Sequence, residues 1–427
     1  MRHKNGSPLI LIIAVVTALG ICIAIPTTAR ADVISDWNVI VIQEAGLALR
    51  QGGSPAVDFA TMHAAMYDAV QAIERDYEPY RVADVPNATG SPVAAAARAA
   101  RDVLVYRFSA RADAINTIYL NYLTANNIDP NDPGIAVGTY VAGKILAYRS
   151  CDGSLPIPAP TFIGSTGIGQ WRPTPTAFSP MNPGEYLGQV TPFFMTRPTQ
   201  FRPEAPPEVT SKRYARDYLE VKLYGSRTGS LRSVDQTDLA NFWAGNTFAA
   251  LYTGVRQLAA AHVDNVSDCS RLFALVAMSQ ADTIIGVWDA KFHYNFWRPS
   301  TAIQNGDVDG NPNTAGDPMW LPLINNPAYP DYASGANGVS SSTLYAMEHF
   351  FETDSMEFSM TTTNTGPTNQ DTRSYTSFSQ AIQEVVDARV LLGIHFRFAD
   401  EASVKLGREV VKWGHKNYLR PRTGPGN

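Results

Sequence analysis

Lys291-Phe292-His293-Tyr294-Asn295-Phe296-Trp297-Arg298-Pro299 closes a long apolar run that begins near Ser270. The run predicts one long helix over 270–295. The seven-residue step from Lys291 to Arg298 is close to two helical turns, so both cations are expected to project from nearly the same face. Pro299 is expected to stop the helix, because the residue before a proline is pushed out of α space. Two cations converging at a helix end suit a tetrahedral oxyanion such as phosphate or vanadate. The plainer alternative is an amphipathic helix whose Lys and Arg run out to water.

Outward from this stretch the chain reads as helix. Phe59, Met62, Met66, Val70 and Ile73 form a helical stripe over 57–73, and helical patterns recur over 92–108, 115–123 and 134–148. From Cys151 to Pro207 periodicity gives way to Pro, Gly, Thr and aromatics. Phe162, Trp171, Phe178, Tyr186, Phe193, Phe194 and Phe201 favour an ordered wrap on the core over a mobile linker, since linkers are poor in aromatics. Helices are expected again from about Ser211, including one opened by the capping box Ser233-Val234-Asp235-Gln236. Further helices are expected over 339–351, 380–393 and 404–413. Alternating β-branched runs are scarce, which argues against a large sheet. The expectation is an all-α protein of two packed helical bundles: an N-terminal bundle at about 55–150, a wrap over 151–210 and a C-terminal bundle at about 211–420.

The 427 residues, 45% of them hydrophobic, can bury a large core. A formal net charge of −5, without a basic stripe, argues against nucleic acid as a partner. Arg2, His3 and Lys4, the apolar run Leu9–Ile25 and Ala29-Arg30-Ala31 have the pattern of a cleavable signal peptide over 1–31, with cleavage near Ala31. The mature chain 32–427 is then expected to be secreted or periplasmic, with no membrane association after cleavage. An uncleaved anchor is the alternative. Cys151 and Cys269 are compatible with one disulfide or with two free thiols. The sequence sets no oligomeric state.

Three segments of the C-terminal half carry chemistry: the Lys291/Arg298 pair; the small-residue turn Tyr332-Ala333-Ser334-Gly335-Ala336-Asn337-Gly338; and Arg389 followed by His395 and Asp400. A Ser at a helix start frees backbone N–H groups to face an anion, although it also describes any N-capped helix. A His can act as a nucleophile or as a metal ligand. These segments resemble the signature of the vanadium-dependent haloperoxidase and type-2 phosphatidic acid phosphatase superfamily: Lys-x6-Arg-Pro, then Pro-Ser-Gly-His, then Ser-Arg-x5-His-x3-Asp. The likeness extends to the helix around His63–Val70, to Gly169–Pro175, to Gln200–Pro203 and to Gln236–Trp243, covering roughly 55–420. It implies an all-α fold of two bundles. It also implies that His395 binds vanadium directly or serves as a phosphorylated nucleophile. Lys291, Arg298 and Arg389 would neutralise the oxyanion, and Ser334 and the Gly335 N–H would hydrogen-bond it. Apart from the resemblance, Asn337 is placed to donate a further hydrogen bond, Asp400 to orient the imidazole and His293 to line the pocket.

The chain departs from that signature at four places. Ala336 stands where the family has its second His, Ala333 replaces the Pro and Ala388 the Ser. Asp400 falls one residue late, with Ala399 in its place, which on a helix turns the carboxylate by about 100°. The resulting expectation is an exported enzyme that oxidises halide with hydrogen peroxide at vanadate on His395. One alternative is phosphate-ester hydrolysis through phospho-His395. The other is a non-catalytic oxyanion-binding relative, because Ala cannot transfer a proton. Asp307-Val308-Asp309-Gly310-Asn311-Pro312-Asn313 places oxygens at every second residue, but the prolines at its sixth and twelfth positions argue against calcium. Isolated His63 reads as a buried hydrogen-bonded residue.

Overall fold

The computed structural model describes residues 33–159, 161–180 and 184–422; the expected signal segment lies outside the described residues. The first group of helices is α1 (Val33–Leu47), α2 (Ser54–Glu74), α3 (Pro92–Arg107), α4 (Ala112–Ala125) and α5 (Pro133–Arg149). Their starts follow local chemistry. Pro92 and Pro133 sit in first turns, where a missing N–H costs nothing, and the Ser91 and Asp132 side chains cap the next free N–H groups. Helix α2 is buried almost all round, including Phe59, Met62, Met66 and Val70.

After the wrap come α6 (Lys212–Tyr224), α7 (Val234–Phe242), α8 (Thr247–His262), α9 (Val266–Tyr294) and α10 (Pro299–Gln304). They are followed by α11 (Gly335–Phe351), the hairpin strands β1 (Phe358–Thr361) and β2 (Thr372–Tyr375), α12 (Phe378–Leu391) and α13 (Arg397–Asn417). The capping box at Ser233 forms with both reciprocal bonds. The antiparallel β1–β2 pair is the only sheet among the described residues. Helices α1 and α8 had no periodic signal strong enough to be expected.

Helix α9 organises the whole. It packs on α2 and on both α11 and α13, and nearly all its residues from Ser267 to Trp288 are buried. By length and composition it would pass as a membrane span, but its apolar surface is covered by other helices. The wrap packs several of its aromatics inward: Trp171, Phe193 and Phe194 are fully buried, whereas Phe178 is exposed. It is stitched to the end of α9, with the Trp171 N–H donating to the Asn295 carbonyl and the Trp297 N–H to the Gly169 carbonyl. Arg202 grips Asp289 through two N–H donors at 2.6 and 2.8 Å. Cys151 is exposed and Cys269 buried, and they form no disulfide.

Candidate functional site

Lys291 and Arg298 converge, but not as two turns of one helix. Helix α9 stops at Tyr294, because Asn295 adopts φ 49° and caps it through its N–H to the Lys291 carbonyl. Arg298 lies beyond, in extended conformation, as the N-cap of α10, and Pro299 opens that helix rather than ending α9. The chain reversal at 295–297 brings the guanidinium back. Both cations are fully buried, and the Tyr329 ring lies 5.1 Å from Lys291 Nζ and 4.9 Å from the Arg298 guanidinium carbon.

His395 occupies the tight link between α12 and α13. Gly393 there has φ 76°, and a side chain on it would collide with the Gly225 carbonyl oxygen, so the link requires glycine. The imidazole is 2% exposed. Arg298 Nη1 stands 3.1 Å from its Nε2 and also donates to the Ile394 carbonyl at 2.7 Å. Arg389, in the last turn of α12, is buried with Nη1 on the Trp243 carbonyl at 3.0 Å. Ser334 and Gly335 begin α11, where the first helical bond is Gly338 N–H to Ser334 O; the N–H groups of Gly335 and Ala336 therefore lack intrahelical partners. Gly335 and Ala336 are half-buried, and an added Cβ at Gly335 would meet no atom within 4 Å.

Three expected positions turn out differently. Asp400 does not reach His395; its Oδ1 accepts from Asn337 Nδ2 at 2.7 Å, consistent with the one-residue displacement along α13. Asn337 thereby directs its amide donor at Asp400 rather than at an anion. His293 is exposed and packs on Tyr294, because two residues along α9 from buried Lys291 is the opposite face. The carboxylate on His395 is Asp331, whose Oδ1 lies 2.8 Å from Nδ1. Nothing in the motif pattern marks Asp331; the only cue is an acidic residue three positions before Ser334, immediately before the small-residue turn. Lys291 Nζ donates to the carbonyls of Pro330 (2.7 Å) and Asp331 (2.9 Å) and so fixes this turn.

The electrostatics follow from burial. Burial, then Arg298, Lys291 and Arg389, hold the His395 imidazole well below its usual range, so it is neutral. Burial and the neighbouring Arg298 also pull Lys291 well down. Burial lowers Arg298 and Arg389, raises Asp331 to about 7 against the pull of Arg298, and raises Asp400 well above the carboxylate range. Arg298 Nη2 and Arg389 Nε are buried with no hydrogen-bond partner, although a buried donor left bare costs about 1–3 kcal/mol or more. A cleft of about 550 Å³ shares Tyr332 and Phe398 with the back of this region, but its lining includes none of His395, Lys291 and Arg298. In the 307–316 loop, Asp309 accepts from Asn311 N–H and Thr314 Oγ1, and Asp307 from Gly316 N–H, so these oxygens serve the loop itself.

The helical scaffold brings Lys291, Arg298 and Arg389, from separated segments, near one buried imidazole. Residues 271–424 match the family model of the VCPO second helical-bundle domain. The vanadium chloroperoxidase of Curvularia inaequalis is 37% identical over 97 residues, 20% of this chain; the match spans only 15% of that relative. A bacterial vanadium-dependent iodoperoxidase structure superposes with TM-score 0.76 at 23% identity, covering 92% of this chain and 98% of that one. The holo form of a bacterial vanadium-dependent chloroperoxidase gives 0.67 at 16% identity, with 92% and 93% covered. The C-terminal half thus resembles the second helical-bundle domain of vanadium chloroperoxidase, and the chain as a whole shares the helical fold of the bacterial vanadium-dependent haloperoxidases.

Proposed function

We propose that this protein is an exported vanadium-dependent haloperoxidase in which His395 binds vanadate and hydrogen peroxide oxidises a halide. One observation carries the reading: His395 is a neutral imidazole among cations whose buried donors, Arg298 Nη2 and Arg389 Nε, have no protein partner. A tetrahedral oxyanion with several acceptor oxygens supplies what those donors lack. Lys291, Arg298 and Arg389 would hold it, with the free N–H groups of Gly335 and Ala336 at the start of α11 adding the helix dipole. Among the described residues no group of three metal-ligating side chains exists, which suits an ion taken up through a single imidazole.

When bound, vanadate supplies Lewis-acid activation of peroxide. The chain's part is electrostatic and geometric. Its cations disperse negative charge in a site shielded from water, and Asp331, the α11 turn and the wrap hold those cations in place. Ala336 removes the residue that would protonate an alkoxide leaving group, which disfavours phosphate-ester hydrolysis in the same pocket. Substrates are therefore small: peroxide and halide. Export rests on the basic, apolar and Ala-x-Ala pattern of residues 1–31.

The test is a paired assay on the mature chain: bromide and iodide oxidation with peroxide after vanadate loading, and phosphoester hydrolysis with vanadate omitted. The expected result is oxidation alone, lost on the order of 10⁴-fold or more in His395→Ala. Hydrolysis alone would move the assignment to the phosphatase. Tight vanadate binding with neither activity would mark an oxyanion-binding relative.

A further inference from the structure

The histidine that takes up the oxyanion needs its proton on one defined nitrogen, and the residue at the expected place cannot see to that. Ala399 occupies the family position, its carbonyl accepting the Ser334 N–H, while Asp400 is turned to Asn337. The structure assigns the task to Asp331: we propose that Asp331, from the turn before α11, is the positioning residue that holds the Nδ1–H tautomer of His395 and so leaves Nε2 unprotonated.

One contact sets the tautomer. The Asp331 carboxylate, an acceptor, lies 2.8 Å from Nδ1, so the proton sits on Nδ1. Arg298 Nη1, 3.1 Å from Nε2 and 3.4 Å from Nδ1, lies across the imidazole and adds no preference for either nitrogen. Both residues are buried, His395 at 2% exposure and Asp331 at 0%, so water does not compete for the bond. Asp331 is held from three directions. Its N–H donates to the Phe296 carbonyl, its own carbonyl accepts from Lys291 Nζ, and the preceding Pro330 carbonyl accepts from the same ammonium. The cation segment thus delivers the carboxylate to the imidazole through contacts with 329–331 that are independent of any bound anion. A carboxylate on the far nitrogen of a ligating imidazole fixes ring orientation and raises its basicity, and losing it typically weakens metal uptake by about 10–100-fold.

The functional consequence rests on His395 being the vanadate-binding residue; the tautomer does not. The experiment separates them. Long-range proton–nitrogen correlation spectra of the imidazoles, recorded on the vanadate-free protein, report which nitrogen of His395 carries hydrogen. The same preparations are titrated with orthovanadate by calorimetry. The wild type is expected to show the Nδ1–H tautomer. Asp331→Ala should convert it to a mixture and weaken vanadate binding about 10–100-fold. The isosteric Asp331→Asn, which keeps the fold even where Ala does not, should retain Nδ1–H but speed its exchange with solvent and weaken binding less than Ala. Asp400→Asn should leave the His395 nitrogen shifts in place. Wild-type shifts in both Asp331 variants, or loss of the tautomer in Asp400→Asn, would overturn the assignment. If the wild type does not bind vanadate, the haloperoxidase reading falls while the nitrogen shifts still decide the role of Asp331.

Discussion

His63 and His395 are both buried imidazoles, and only their company tells them apart. His63 lies on α2, 1% exposed, with Nε2 3.2 Å from the Asn38 amide and its ring against Phe273. Burial alone lowers it to about 3. His395 is equally buried, but Arg298, Lys291 and Arg389 add to the effect. Around His63, charge is matched within the fold. Asp58 on the same helix pairs with Arg107 at 2.6 Å and Arg50 at 2.9 Å. Asp68 and Asp282 each take three backbone N–H groups at 2.6–2.9 Å. Around His395, no carboxylate among the described residues lies within ion-pair distance of Lys291 or Arg389, and Arg298 reaches Asp331 only at 3.5 Å. A surplus of buried cation has no structural purpose without an anion to meet it. A buried histidine is therefore a poor marker of a site; unmatched charge beside it is a good one.

The comparison breaks or sharpens at several points. Ala336→His places a proton donor at the open start of α11 and should raise peroxidase turnover by about 10²–10⁴-fold. Unchanged turnover in steady-state assays would show that the present pocket needs no such donor. Asp58→Ala leaves buried Arg107 and half-buried Arg50 unmatched, so urea unfolding should show a loss of about 3–5 kcal/mol. Arg389→Met should stay within about 1 kcal/mol of wild type, since one bond to the Trp243 carbonyl is exchanged for relief of a buried charge, yet vanadate binding should weaken at least about 10-fold. A large stability loss in Arg389→Met would place it with the structural charges.

A further effect is in pH. The folded-state value of His63 is depressed below 6.5, so its contribution is present above that pH and is lost as pH falls towards about 3. Between about pH 6 and about pH 4.5 this amounts to roughly 2 kcal/mol at 1.36 kcal/mol per unit. His63→Gln should flatten that part of the stability curve. Burial raises Asp68 and Asp282 to about 6, which acts with the opposite sign, so the difference between variant and wild type is the quantity to measure.

The all-α class and most helix cores were legible in the sequence, because apolar period and caps are local signals. The stripe on α2, the Ser233 capping box and the Pro-opened helices α3 and α5 all appear where the pattern puts them. The convergence of Lys291 and Arg298 was legible too, but its cause was not. A left-handed Asn295 and a chain reversal do what a continuous helix was expected to do, and a single-residue backbone state leaves no periodic trace. Asp331 was invisible for a different reason. Its role exists only because the turn before α11 folds against the α12–α13 link, a contact between residues 64 apart in the chain. Asp400, which carries the motif, had lost the contact to a shift of one residue.

A crystal structure of the protein with orthovanadate tests the central claim most directly. Three separated segments are held to enclose one oxyanion; the account predicts vanadium bonded to His395 Nε2, with its oxygens on Arg298, Arg389 and Lys291 and on the Gly335 N–H. Vanadate bound elsewhere, or a pocket in which Arg298 still caps Nε2 at saturating vanadate, would contradict it.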